Sequence, residues 1–395
     1  MVSSPRCLFL PEMEYSALAA SISLVIWLYL LLGRGFFWRV NLALRDEAPP
    51  TERRRRIVAI VPARNEAEVI GVSIQSLLNQ DLEPSLEVIV VNDNSGDDTV
   101  AVARTAGERS GRSRQLTILS GKPLEPGWTG KLWALSQGVE LAAKLNPDYF
   151  LFTDADIKHD TSSVRHLLAI AERYGCDLAS LMVKLECRSF AEKALIPAFV
   201  FFFFQLYPPR WIASTNSRTA GAAGGCVLIR PVALARIGGL KAIRGAVIDD
   251  CTLARAVKRT GGRLWLGLIH ETCSIRSYGS FNEIGRVISR TAFSQLHHSF
   301  LLLLATQLGL FVVYVVPPLS LLTGRPVPLV LGTAGWLLMW FTYWPMVKFY
   351  GLSRAWALAL PAVAIFYGAA TLRSALLYCR GKGGEWKNRA QDALG

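Results

Sequence analysis

Tyr149-Phe150-Leu151-Phe152-Thr153-Asp154-Ala155-Asp156 joins a run of strand-forming apolar residues to two carboxylates that flank one small residue. Strand side chains alternate faces, yet at a frayed C-terminal end both carboxylates can turn toward one point. Two close carboxylates repel, and each favours a countercharge. A hard divalent cation, Mg²⁺ or Mn²⁺, that carries the phosphates of a nucleotide would supply it. An isolated D-x-D is more commonly a solvated loop pair. Further charged clusters, placed at other strand ends, set this one apart.

Working outward, short β-branched runs alternate with longer helical ones. Strands are expected at 57–61 (ended by Pro62), 86–91, 115–119 and 149–153, and helices at 68–80, 97–106, 131–145 and 162–174. Ser95 or Asp97 would cap the helix at 97–106. Such alternation implies an α/β domain with a mostly parallel sheet. Ligands of such sheets bind beyond the strand C-termini.

The polar clusters fall at those positions. Pro62-Ala63-Arg64-Asn65-Glu66 follows the first strand, and Asn92-Asp93-Asn94-Ser95-Gly96-Asp97-Asp98-Thr99 the second. Further on, Gly224-Gly225 precedes a strand-like run at 226–229, and Asp249-Asp250 opens a helical run to Arg259. Taken singly, each is ordinary turn and cap chemistry. No G-x-x-x-x-G-K-[ST] loop occurs, and Gly221 to Gly225 is no dinucleotide fingerprint after a first strand. A diphosphate would therefore be carried by a metal on acidic residues rather than by a glycine-rich loop.

Apolar residues make up 51% of the 395, and the surplus is concentrated. Residues 15–33 carry no charge, which gives about 28 Å of helix, enough to cross a hydrocarbon core. A signal peptide is the rival reading. It is disfavoured because Glu12 and Glu14 are acidic and no small-x-small cleavage site follows. Residues 299–324, 326–347 and 355–372 are three more uncharged stretches, with Trp340 to Trp344 placed as in interfacial belts. The aromatic segment near 190–212, broken by Pro197, Pro208 and Pro209, reads as an interfacial helix rather than a span. The expected organisation is an anchor with a basic juxtamembrane segment at 1–55 and an α/β domain at 56–296. C-terminal spans would follow at 297–380, then a basic tail at 381–395.

The net charge of +13 includes Arg34, Arg39, Arg45 and Arg53 to Arg56, directly after the first span. The positive-inside rule explains this run more simply than nucleic-acid binding, and places the α/β domain in the cytoplasm. Counting spans onward puts the basic tail outside, against the same rule. Seven cysteines without a C-x-x-C pair suggest neither a zinc site nor a disulfide framework.

With V-P-A-R-N-E at 61–66, V-N-D-N-S-G-D-D-T at 91–99, T-D-A-D at 153–156 and D-D-C-T-L-A-R-A-V-K-R-T-G at 249–261, the chain resembles family 2 glycosyltransferases. These are inverting enzymes of the nucleotide-diphospho-sugar transferase (GT-A) fold. G-W-T-G-K-L-W-A-L at 127–135, with the arrangement of membrane segments, is similar to the hopene-associated members. The resemblance implies that Asp93 reads the uracil edge of a UDP-sugar, with Pro62, Ala63, Arg64, Asn65 and Glu66 lining base and ribose. It implies that Asp154 and Asp156 hold the metal and diphosphate, Asp156 being the direct ligand, and that Lys131 reaches the donor phosphates or sugar. Asp250 would be the catalytic base, with Asp249 as an N-cap or orienting group, and Arg290 would face the leaving diphosphate. The first acid usual beside Asp93 is Asn92 here, and the Q-x-x-R-W motif of processive synthases is missing.

The expected activity is transfer of one sugar to a membrane lipid, with Gly224 and Gly225 admitting the acceptor headgroup; the narrower resemblance implies a hopanoid or similar polycyclic lipid. A polysaccharide synthase is the alternative enzyme. A transporter or inert scaffold is the alternative outside enzymes, disfavoured because ionisable residues sit mostly at span ends and no carboxylate cluster has been lost.

Overall fold

Six strands running one way and two running against them make the sheet of this protein, seen in a computed structural model that describes residues 10–40, 54–82 and 86–384. The described chain divides into two compact units. One holds the sheet; the other holds long apolar helices.

The sheet unit contains β1 (Ile57–Ala63), β2 (Glu87–Asn92), β3 (Leu116–Ser120), β4 (Tyr149–Thr153), β5 (Ile157–Lys158), β6 (Leu178–Lys184), β7 (Cys226–Ile229) and β8 (Leu264–Ser274), in the spatial order β3-β2-β1-β4-β7-β6-β8-β5. Its helices are α2 (Ile70–Leu78), α3 (Thr99–Arg109), α4 (Gly130–Ala143), α5 (Ser163–Arg173), α7 (Pro209–Ala213), α8 (Pro231–Arg236) and α9 (Asp249–Arg259). β1 and β4 are buried on both faces and read as unbroken apolar runs, as strands covered by helices on both sides do. α5 is amphipathic: Val164, Leu167, Leu168 and Ala171 are buried, at the spacing of one helix face. Burying each such Leu or Val contributes roughly 1.5–3 kcal/mol.

Three expectations need correction. Strand β1 runs through Pro62 to Ala63 instead of stopping at the proline. Its pairing with β4 ends at Ile60↔Phe152, so at Pro62 the strand is hydrogen-bonded only toward β2, where the missing N–H is tolerated. Helix α3 starts at Thr99 rather than 97, and its N-cap residue, Asp98, makes no side-chain cap. Asp97 instead accepts from the Thr99 N–H at 3.1 Å and from its hydroxyl. The sheet is also wider than the sequence pattern indicated, because β5, β6 and β8 had no counterpart in it.

The second unit contains α1 (Leu10–Leu32), α6 (Phe190–Leu206), α10 (Phe281–Gln295), α11 (Phe300–Leu310), α12 (Val316–Ser320), α13 (Pro326–Phe349) and α14 (Leu360–Cys379). Among the described residues five helical stretches are long and apolar enough to cross a membrane: Tyr15–Leu32, Phe190–Ala213, Phe300–Thr323, Pro326–Phe349 and Arg354–Cys379. Pro197 does not break α6, which continues to Leu206. A capping box at Ser189 and Glu192 starts that helix. Phe201 packs on Phe37 and Tyr343 within this unit. Between α11 and α12 the chain makes a π-turn, Phe311–Val315, and the Val313 carbonyl there accepts the indole N–H of Trp27 at 2.8 Å. Loosened helix carbonyls in an apolar setting need such a partner. The basic residues at 45 and 53, and the tail beyond 384, lie outside the described residues.

Candidate active site

The loops after β1 and β2 are sewn together. The Asn65 N–H donates to Ser95 Oγ at 3.1 Å and Gly96 N–H to Asn65 Oδ1 at 2.9 Å. Glu66 N–H donates to Thr99 Oγ1 at 2.8 Å and Ala67 N–H to Asp97 Oδ2 at 3.1 Å. Asn65 and Asn94 both have φ of 52°, a left-handed conformation that asparagine tolerates better than most residues. This lacing buries Asp93 and sets Arg64 beside it. Arg64 Nη1 donates to the Asp93 carbonyl at 2.6 Å and lies 3.8 Å from its carboxylate. Asn92, in place of the expected acid, uses its side-chain oxygen to accept the Ser95 N–H at 3.1 Å.

At the end of β4 the two acids of the D-x-D take different cations. Lys131, from the first turn of α4, lies 2.8 Å from Asp154 Oδ1 and 3.2 Å from Asp249 Oδ2. Asp156 Oδ2 is held at 2.9 Å by Nε of Arg276, whose Nη2 also pairs with Glu66. Burial would lower the pKa of Lys131, but Asp154 and Asp249 more than offset it and hold it above its ordinary value. Burial pushes Asp154 upward, Lys131 opposes this, and the neighbouring Asp156 adds to it. Arg276 behaves as Lys131 does: burial alone would lower it, and Glu66 and Asp156 hold it above the ordinary arginine range.

Asp250 is held by two backbone N–H groups. Gly224 N–H donates to its Oδ2 at 2.8 Å, and the following N–H, of Cys251, to its Oδ1 at 2.6 Å. Burial and the adjacent Asp249 push its carboxyl up to about 6, against the pull of Lys131 and these two N–H groups. A carboxylate tuned toward neutrality is suited to take a proton. Asp249 is not an N-cap: the cap residue of α9 is Ile248, with no side-chain bond, and Asp249 spends its carboxylate on Lys131.

A cleft joins these groups, lined by Pro62, Lys131, Asp154, Gly224, Asp249 and Asp250 with apolar walls from Leu132, Phe152 and Leu253. A Cβ at Gly224 would lie 3.2 Å from Asp250 Oδ2 and 3.3 Å from Lys131 Nζ, so glycine is what lets both approach. Gly225 differs. A Cβ there would meet Val183 at 3.0 Å and Ile157 at 3.4 Å, so its missing side chain serves packing and does not open the cleft. Arg290 lies on α10, in the other compact unit.

The donor set suits a divalent ion. Asp154 and Asp156 offer hard carboxylate oxygens, and the carboxylates of Glu66, Asp154, Asp156, Asp249 and Asp250 outnumber the cations Lys131 and Arg276. Among the described residues no group of three or more His, Cys, Asp or Glu could hold an ion by itself. Remaining ligands would come from a substrate or from water.

Residues 58–238 match the family described as "Glycosyl transferase family 2". This part of the chain is a family 2 glycosyltransferase domain. A 104-residue stretch is 35% identical to 4,4'-diaponeurosporenoate glycosyltransferase of Staphylococcus aureus (strain MRSA252), covering 26% of this chain and 24% of that protein. The chain thus matches about a quarter of the length of this curated relative. A mannosyltransferase from Pyrobaculum calidifontis, solved in complex with GDP-Man and Mn²⁺, shares the fold: the TM-score is 0.55 at 17% identity, over 89% of this chain and 99% of that one. The sheet and flanking helices are therefore of the GT-A type.

Within the glycosyltransferase domain Pro62 to Glu66, Asp93, Lys131, Asp154 and Asp156 fall inside the matched residues, and Asp249, Asp250 and Arg276 beyond them. Sequence reasoning missed Arg276. The available signal was a single arginine seven residues after a short apolar run at 264–269. It also missed His159, buried beneath the D-x-D. Thr153 Oγ1 donates to the Gly225 carbonyl at 2.8 Å and lies 2.9 Å from His159 Nε2. One hydroxyl carries one proton, so the imidazole must donate to Thr153. Burial pushes His159 down to about 4, which keeps it neutral in that role.

Proposed function

We propose that the protein is a membrane-bound inverting glycosyltransferase that moves a single sugar from a nucleotide-diphospho-sugar, a UDP-sugar, to a lipid acceptor. The observation that carries this reading is the triad of Lys131 between Asp154 and Asp249, with Asp250 held beside them by Gly224. Uracil and ribose would lie over Pro62 to Glu66 and Asp93. Asp156 and Asp154 would hold Mg²⁺ or Mn²⁺, which when bound would neutralise the donor diphosphate. Lys131 would keep Asp154 and Asp249 in place and present a positive charge to the departing phosphate. Asp250 would take the acceptor hydroxyl proton as that oxygen bonds to the anomeric carbon. The bond from that carbon to the diphosphate breaks on the opposite face, and the nucleoside diphosphate leaves with the electron pair.

The lipid acceptor is supported by the five apolar helices and by the relative named for glycosyl transfer to 4,4'-diaponeurosporenoate. The acceptor would be a polycyclic lipid such as a hopanoid, with only its headgroup reaching Gly224. The enzyme would reside in the cytoplasmic membrane with its sheet unit in the cytoplasm. α6 would lie at the bilayer interface, a reading supported by its aromatic run and by the prolines at 208 and 209 that follow it. Purified protein incubated with a panel of radiolabelled nucleotide sugars and membrane lipid extract should label a lipid fraction. Label only in free sugar, or only in polymer, would refute the single-transfer reading.

A further inference from the structure

Arg276 bridges two carboxylates that come from distant parts of the chain. Its Nε meets Asp156 Oδ2 at 2.9 Å, 120 residues away, and its Nη2 meets Glu66, 210 residues away. The Ser274 hydroxyl lies 3.4 Å from the same Asp156 oxygen. The guanidinium is about one-third exposed, while Glu66 and Asp156 are more deeply set. Glu66 is fixed at its backbone by Thr99 and Asp156 by the carbonyl bond to Ile275 N–H at 2.9 Å, so the arginine spans two rigid points. A planar guanidinium with a donor fork suits such bridging, where a lysine would serve as one point charge.

We infer that Arg276 is the resident cation of the donor site, competing with a divalent ion for Asp156, so that the ion enters together with the nucleotide diphosphate rather than ahead of it. The inference rests on the metal and donor reading given above. A hydrated ion arriving alone must take Asp156 from Arg276 and leave a partly buried guanidinium with one partner fewer, a costly exchange. An ion arriving on a diphosphate brings phosphate oxygens that give the guanidinium a new partner, so no charge is left unpaired. Glu66 keeps Arg276 at the site throughout.

The test is Mn²⁺ binding to the full chain in detergent micelles, followed by loss of the free-ion electron paramagnetic resonance signal, without nucleotide and with UDP or, in parallel, GDP. Wild type should bind Mn²⁺ weakly alone and tightly with nucleotide. Arg276→Gln should bind Mn²⁺ alone at least about tenfold more tightly than wild type, and Arg276→Lys, which keeps the charge but not the fork, should fall between the two. Unchanged or weaker Mn²⁺ binding by Arg276→Gln, with the wild-type nucleotide effect intact, overturns the inference alone. Absence of Mn²⁺ binding to wild type with either nucleotide overturns the metal reading itself. Should Arg276→Gln fail to fold, equal Mn²⁺ affinity of wild type with and without nucleotide still overturns the inference.

Discussion

Gly224 donates its backbone N–H to Oδ2 of Asp250 at 2.8 Å, and a Cβ on that glycine would stand 3.2 Å from the same oxygen. Gly224→Ala should therefore push the carboxylate and Lys131 apart by a few tenths of an ångström. Small misplacements of a reacting group cost on the order of 10- to 100-fold in rate. We expect kcat to fall by about that factor with donor affinity little changed, read from steady-state kinetics and nucleotide titration. A variant with wild-type kcat would show that this contact does not position the base.

Asp250→Asn keeps the shape and removes the basicity. Loss of a general base costs about 10²–10⁴-fold, so kcat should drop by that order while UDP-sugar binding persists. Asp249→Asn should cost less, because its carboxylate meets Lys131 rather than the acceptor. Near wild-type turnover by Asp250→Asn would remove it from the mechanism.

The raised carboxyl of Asp250, at about 6, has a visible consequence in the pH profile. The base must be ionised, so kcat should rise with pH through a limb near 6 and level off above it. Asp249 repels the ionised form and Lys131 favours it. Asp249→Asn should consequently move the limb to lower pH and Lys131→Met to higher pH. Limbs that do not move in either variant would assign the titration to another group.

Asp156→Ala should abolish metal-supported donor binding, since the D-x-D would lose the carboxylate proposed as direct ligand. Isothermal titration with a UDP-sugar and Mn²⁺ reads this directly. Unchanged affinity would sink the metal assignment.

Lys258 offers a check on stability rather than chemistry. Its ammonium donates to the carbonyls of Trp211, Ile212 and Thr219 at 3.0, 2.7 and 2.6 Å. Burial lowers its pKa, so the charge is retained at a cost that these carbonyls offset. Lys258→Met leaves partly buried carbonyls without a donor, at about 1–3 kcal/mol. A lower thermal midpoint is expected, and an unchanged midpoint would show that water replaces the ammonium freely.

The sequence alone determined the core of the sheet and one end of the site. Apolar runs at β1, β2, β3 and β4 carry strand-type residues and end in turn-forming polar clusters, so their type and the positions of Glu66, Asp93, Asp154 and Asp156 could be read locally. α9 was legible for the same reason, because its acids precede an amphipathic run. What only the tertiary structure decided is how those charges are shared. Short apolar runs such as β6 and the first half of β8 cannot be told from buried helix by periodicity, and the polar second half of β8 hides the strand that leads to Arg276. Asp249 could be read as a cap or as an orienting group, since acids at helix starts serve as either; a lysine 118 residues earlier claims its carboxylate. The glycines at 224 and 225 are adjacent and alike in sequence, yet a Cβ on one would meet Asp250 and on the other Val183, a difference set by the turn that leads into β7. Pairings between charges far apart in the chain depend on strand order, and strand order is settled by the packing of the whole sheet.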